Sequence, residues 1–141
     1  MLTTQRAREA LPALEEHAAA VHLVGDGLVD ELAGDLQDAV DGATTLVALG
    51  GGRVVDTAKA LAAARPGATA PRVAAIPTTL SAAEMTWLHR QARGAPADRH
   101  VRPALVINDP ALSASQPVEE LAASTANALG HALEAQASAL A

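Results

Sequence analysis

The sequence predicts an α/β domain built on a parallel sheet, and three observations carry that prediction. Short apolar, β-branched runs alternate with stretches of helical periodicity. Three consecutive glycines, Gly50 to Gly52, stand directly between one such run and the helical stretch after it. The chain has 141 residues, 50% of them hydrophobic, which is the material of one domain with a buried core.

Taken in order, residues 4 to 19 place Ala, Leu and charged residues at helical spacing, and Pro12 divides the stretch. Val21 to Val24 reads as a short buried strand closed by the turn Gly25-Asp26-Gly27. From Leu28 to Val40, apolar residues at 28, 29, 32, 33, 36, 39 and 40 predict an amphipathic helix stopped at Gly42. Thr44 to Leu49 is the second strand, and the period from Val54 to Ala64 is helical again, ended by Pro66-Gly67. Strands follow at Val73 to Ile76 and Ala104 to Ile107, separated by a polar stretch in which residues 91 to 103, QARGAPADRHVRP, read as a mobile loop. Pro117 to Ala141, rich in Ala and Leu, reads as helix.

About a quarter of all positions are Ala, with one Trp and no Phe or Tyr. The core is therefore expected to be thin and closely packed, and an aromatic cage or a base-stacking surface is excluded. The net charge of −6, from 16 acids against 10 bases (nine Arg and the single Lys59), is the opposite of what a nucleic-acid backbone attracts. With no cysteine there is no disulfide framework, thiolate metal site or thiol nucleophile. The opening MLTTQRAREALPALEE is charged, and no run approaches the roughly 20 apolar residues of a membrane span, so a cytoplasmic protein is expected.

The triple glycine lets the backbone turn tightly and approach a ligand, while the free N–H groups of the next helix point at the loop. That makes either an anion site for phosphate or a tight turn alone; it matches neither the G-x-G-x-x-G fingerprint nor a Walker loop. Asp56 and Lys59 lie one helical turn apart, which on spacing alone reads as an exposed ion pair worth well under about 1 kcal/mol. Asp26 ends a strand where a dinucleotide's adenosine ribose is commonly held, or is a turn residue in Gly-Asp-Gly. Thr78 and Thr79 leave the third strand at the glycine edge if the strands are parallel, and their hydroxyls either meet a ligand or cap the loop. Asn127 and His131 share a helix face, two groups where a metal needs three.

In order, the blocks LVALGGGRVVDTAKALA, AAIPTTLSAAEMT, PALVINDPAL and STANALGHALEA resemble the iron-containing alcohol dehydrogenase superfamily, most closely its maleylacetate reductase branch. They run from Leu46 to Ala135. The resemblance implies an NAD(P)-dependent oxidoreductase with a Rossmann-like, parallel-sheet nucleotide-binding domain over residues 1–116 and only the first helix of an all-helical substrate domain over 117–141. It implies cofactor contacts from Asp26, Gly50, Gly51, Gly52, Asp56, Thr78, Thr79 and Ser81, with Asn127 and His131 on the substrate side. A carboxylate at Asp26 would repel a 2′-phosphate, favouring NAD over NADP.

Two departures stand out. Arg53 replaces the usual Ser after the glycines and is placed either to reach a phosphate or to crowd it. Asn127 stands where metal-dependent members have Asp, which argues against tightly held iron or zinc and gives His131 the substrate's carbonyl region. The resemblance also implies a chain shortened at both ends, so the alternative is a non-catalytic nucleotide-binding remnant, or a subunit whose helix from Pro117 is covered by a partner chain or a second copy. A small-molecule substrate is expected, and neither nucleic acid nor membrane.

Overall fold

The computed structural model describes residues 1–65, 67–95 and 99–138. Its strands are β1 (Leu2–Thr3), β2 (His22–Leu23), β3 (Thr45–Gly50), β4 (Arg72–Pro77) and β5 (Leu105–Val106), and its helices α1 (Gln5–Ala10), α2 (Val29–Asp35), α3 (Gly52–Ala63), α4 (Pro110–Ala114) and α5 (Val118–Ala137). All strand pairs are parallel, in the order β2-β1-β3-β4-β5. The predicted α/β class is therefore the observed one.

The two long central strands owe their place to side chains that are apolar on both faces. Leu46 and Ala48 of β3, with Val73 and Ala75 of β4, face a larger cluster that includes Val54, Val55, Ala58, Leu61 and Ala62 of α3 and Ala33 of α2. The alternate residues Leu49 and Ile76 face a smaller cluster with Ala7 of α1 and Leu112 of α4. Helices thus cover both faces, and the Ala-rich composition becomes intelligible: Ala58, Ala60, Ala62 and Ala75 are inaccessible, which lets α3 lie close on the sheet. Pairing runs from Thr45↔Arg72 to Gly50↔Pro77, so the glycines and the segment from Pro77 leave the sheet at one edge.

Several sequence expectations need correction. β1 was not expected, because two residues are too few to show a period; yet Leu2 and Thr3 are wholly buried between β2 and β3, pairing with Ala48 and Leu49. The strand predicted over 21–24 is an edge strand rather than a buried one, with Leu23 51% exposed. The helix predicted over 28–40 ends at Asp35 and resumes only as a 3-10 turn, Asp38–Val40. Gly34 marks the close approach of another segment there: a Cβ on it would stand 3.0 Å from the Cβ of Arg93. α4 was likewise not expected; Asp109 caps it, its Oδ1 accepting the Ala111 N–H at 2.9 Å.

The break at Pro12 is real, since Pro12 opens a 3-10 turn reaching His17. α3 ends at Ala63, and Pro66, read from sequence as part of its stop signal, lies outside the described residues. Of the predicted loop 91–103, residues 96–98 lie outside them as well; the flanking parts lack regular structure but are tied down. The Arg93 N–H donates to the Asp30 carbonyl at 2.8 Å, its guanidinium meets Asp35 at 2.9 Å, and Ala92 is buried. Residues 139–141 of the predicted last helix also fall outside the description.

Candidate functional site

The site grows from the edge where β3 and β4 end. After Gly50 the chain enters α3 with Gly51 as its N-cap, and no side chain caps that helix end. Its first turn carries no acidic residue, so the partial positive charge of a 12-residue helix faces the edge uncompensated from within. Opposite lies the segment leaving β4. Thr78 donates its N–H to the Gly50 carbonyl at 3.0 Å, which fixes the two crossings side by side.

The glycines are required by what faces them. A Cβ on Gly51 would stand 2.8 Å from Thr79 Cγ2, and one on Gly52 2.8 Å from Ser81 Oγ. A Cβ on Gly50 would come within 2.5 Å of Val54 Cγ2. Backbone, hydroxyls and helix N-terminus therefore meet without intervening side chains, the arrangement in which amide N–H groups and hydroxyls can surround a phosphate.

Thr78 takes a different role from Thr79. Its side chain is wholly buried, and its Oγ1 accepts from Arg6 Nη2 at 3.0 Å. Arg6, just past the end of β1, also donates to Ser115 Oγ at 2.8 Å and meets no carboxylate among the described residues. Arg6 was missed in the sequence; the short strand that brings it to this edge gives no periodic signal.

Asp26 stands fully in solvent beyond β2, and its Oδ1 accepts from Arg53 Nη1 at 2.7 Å. Arg53 also donates to the Gly25 carbonyl at 3.3 Å. The choice left open for Arg53 is thereby narrowed: in this structure it points to the β2 turn and neither reaches over nor crowds the glycines. The pair does bring Asp26 beside the first turn of α3.

Asp56 and Lys59 are not the exposed pair that spacing suggested. Lys59 is 0% exposed, and its Nζ donates to Asp56 Oδ1 at 2.7 Å, to the Ala83 carbonyl at 2.9 Å and to the Leu88 carbonyl at 2.7 Å. A lysine survives such burial because an ammonium has three donors and each finds an acceptor. Being the only lysine among nine arginines was a signal that the sequence did contain.

Nearby, His89 is held neutral by its surroundings. Its Nδ1–H donates to the Arg90 carbonyl at 2.8 Å, while Nε2 accepts the Val101 N–H at 3.0 Å. Desolvation lowers its pKa below the usual 6.5, outweighing the bond to Arg90, with Lys59 and His100 adding repulsion.

Asn127 and His131 are set apart from this constellation. Both are exposed on α5, and among the described residues no hydrogen bond joins either to the glycine edge. His131 Nδ1 lies 3.5 Å from Glu134 Oε2. One turn before Asn127, Ser124 Oγ accepts the Leu80 N–H at 2.9 Å, which places this part of α5 beside the Thr79–Ser81 segment. Among the described residues no three His, Cys, Asp or Glu side chains could hold a metal together, and none of the helices is long and apolar enough to cross a membrane.

No protein-family model and no curated protein matches the sequence. Solved structures do. An iron-containing alcohol dehydrogenase from Corynebacterium glutamicum matches with a TM-score of 0.65 and 26% identity over 87% of this chain and 36% of its own. Maleylacetate reductase from Agrobacterium tumefaciens matches with a TM-score of 0.68 and 25% identity over 93% of this chain and 39% of its own. Maleylacetate reductase from a Rhizobium species gives 0.60 and 25% over 83% and 35%. The chain spans well under half the length of these proteins.

Proposed function

Since the chain shares the fold of iron-containing alcohol dehydrogenases and maleylacetate reductases, as its four sequence blocks implied, we propose that it is the dinucleotide-binding part of an NAD(P)-dependent oxidoreductase. The observation that carries this reading is the glycine edge: an uncapped helix N-terminus, reached by backbone without Cβ atoms, opposite two hydroxyl side chains. The residues present fit a pyrophosphate. Gly50, Gly51 and Gly52 would bring backbone N–H groups to it, and Thr79 and Ser81 would donate from the opposite wall. Thr78 would act from behind, by holding Arg6 at the edge, and Asp56 by fixing Lys59. In a chain of net charge −6, Arg6 and the α3 N-terminus give this edge a favourable potential for an anion.

When bound, the nicotinamide supplies hydride transfer to or from an alcohol, carbonyl or enoate carbon. The chain's own part is to bind and orient the cofactor. Asp26 would accept a bond from the adenosine ribose and repel a 2′-phosphate, which supports NAD over NADP. Asn127 and His131 would face the substrate, with His131 moving a proton at its carbonyl oxygen. A resident iron or zinc is not part of the reading, because an amide and one imidazole are too few and too weak a donor set. Residues 1–116 would form the nucleotide domain and 117–141 open the substrate domain, the protein working in the cytoplasm.

NADH titration by fluorescence tests the reading, with Gly51→Asp as the comparison. That change sets a side chain against Thr79 and a negative charge at the helix N-terminus, and it is expected to weaken NADH binding by at least about tenfold. Unchanged affinity would remove the phosphate assignment. A second reading is favoured by the exposure of α5: a nucleotide-binding module without turnover by itself, whose α5 face is covered by a partner chain or a second copy. NADH binding without reductase activity in the isolated chain would select it.

A further inference from the structure

We propose that Lys59 is a positioning residue for the cofactor's phosphates, a clamp that sets the width of the slot between the α3 N-terminus and the segment Thr78–Leu88. The inference rests on the dinucleotide reading above and gives that site a part which neither the motifs nor the family likeness assigns. The segment is fastened at two ends. At its start the Thr78 N–H is bound to Gly50; at its far end the Ala83 and Leu88 carbonyls are bound to Lys59 Nζ. Thr79 and Ser81, the residues that face Gly51 and Gly52, are stretched between those anchors.

Between them Ala82 adopts the left-handed conformation, with φ 57°, a backbone state that an alanine avoids and that persists only where neighbours hold it. The bond from Lys59 to the next residue's carbonyl is such a hold. A carbonyl from residue 83, another from residue 88 and a carboxylate on α3 converge on one point. Only a compact ammonium with three divergent donors answers that arrangement; a planar guanidinium does not.

The chain has no cysteine, so Lys59→Cys creates a single thiol. Alkylated in denaturant with 2-bromoethylamine and refolded, it regains an amine of nearly lysine's length; iodoacetamide gives a neutral cap of similar length. Wild type is taken through the same refolding. The Ala83 and Met85 amides, which donate to Ser81 Oγ and to the Ala82 carbonyl beside the clamped point, should be protected from hydrogen exchange in wild type without NADH. The uncapped and neutral-capped chains should lose that protection and bind NADH about tenfold more weakly or worse, the aminoethyl chain should recover both within about twofold, and Lys59→Arg should not.

The clamp is overturned if the neutral-capped chain protects the Ala83 and Met85 amides and binds NADH like the aminoethyl chain, or if those two amides exchange freely in wild type. Should the uncapped chain fail to refold, that pair of capped chains still decides. Wild type that binds no NADH overturns instead the dinucleotide reading, and the role in positioning phosphates with it.

Discussion

The two regions to which the motifs drew attention, the glycine edge with α3 and the helix α5, have opposite physical characters. In α3 nine residues are buried, among them Thr57, whose hydroxyl donates to the Arg53 carbonyl, and Lys59, which is paired with Asp56 and with two carbonyls from the segment after β4. In α5 no residue is buried; Val118, Leu129 and Leu133 are 82%, 60% and 68% exposed. The first region is finished by this chain's own packing, so each side chain has a defined partner and a defined cost of removal. The second carries the helical period and the pair Asn127 and His131 proposed to face a substrate, but it is tied to the segment after β4 through Ser124. A motif therefore has geometric meaning only where packing completes it.

Substitutions can break that contrast. The largest effect is expected from Lys59→Met, which leaves Asp56 and two carbonyls without their donor. Urea unfolding should show a loss of about 3 kcal/mol. A loss under about 1 kcal/mol would mean that this buried network is no more important than a surface pair. The Asp26–Arg53 pair, exposed although it borders the same helix, is expected to act on selectivity rather than on stability. Asp26→Ala removes a repelling carboxylate and frees Arg53, and the NADPH to NADH affinity ratio should rise about fivefold in paired titrations.

A smaller effect is expected from His89. Its pKa is lowered by burial, so the folded chain holds fewer protons than the unfolded chain in the window just below pH 6.5. Stability from this group is complete above that value and declines as pH falls through the window, because a proton on Nε2 would evict the Val101 N–H. Thermal melts between about pH 5 and pH 7.5 should show that slope, and His89→Gln should reduce it. The smallest effect belongs to α5: Leu133→Ala should change the unfolding free energy by no more than about 0.5 kcal/mol. A larger loss in the isolated chain would show that the face is already covered, by a second copy of it.

Most of the central sheet and the glycine loop were legible because their signals are local. Six-residue β3 and β4 and twelve-residue α3 are long enough for a period to show, and three glycines between a strand and a helix leave few backbone paths. β1 and α4 were not legible, being two and five residues long and held by neighbours rather than by propensity. In the site, Thr79 and Ser81 came to the glycines as the parallel register requires, whereas the inward turn of Thr78 depended on an arginine 72 residues away.

The sequence by itself determined the α/β class, the strand, glycine and helix unit, and the family likeness, since each is set by residues adjacent in the chain. Tertiary structure alone decided where the charges went. Arg53 turned to Asp26, Arg6 came to Thr78, and Lys59 sank beneath the surface against carbonyls 24 and 29 residues away. The physical reason is that a buried charge must find every one of its partners at once, and those partners come from separate segments that only the folded sheet brings together.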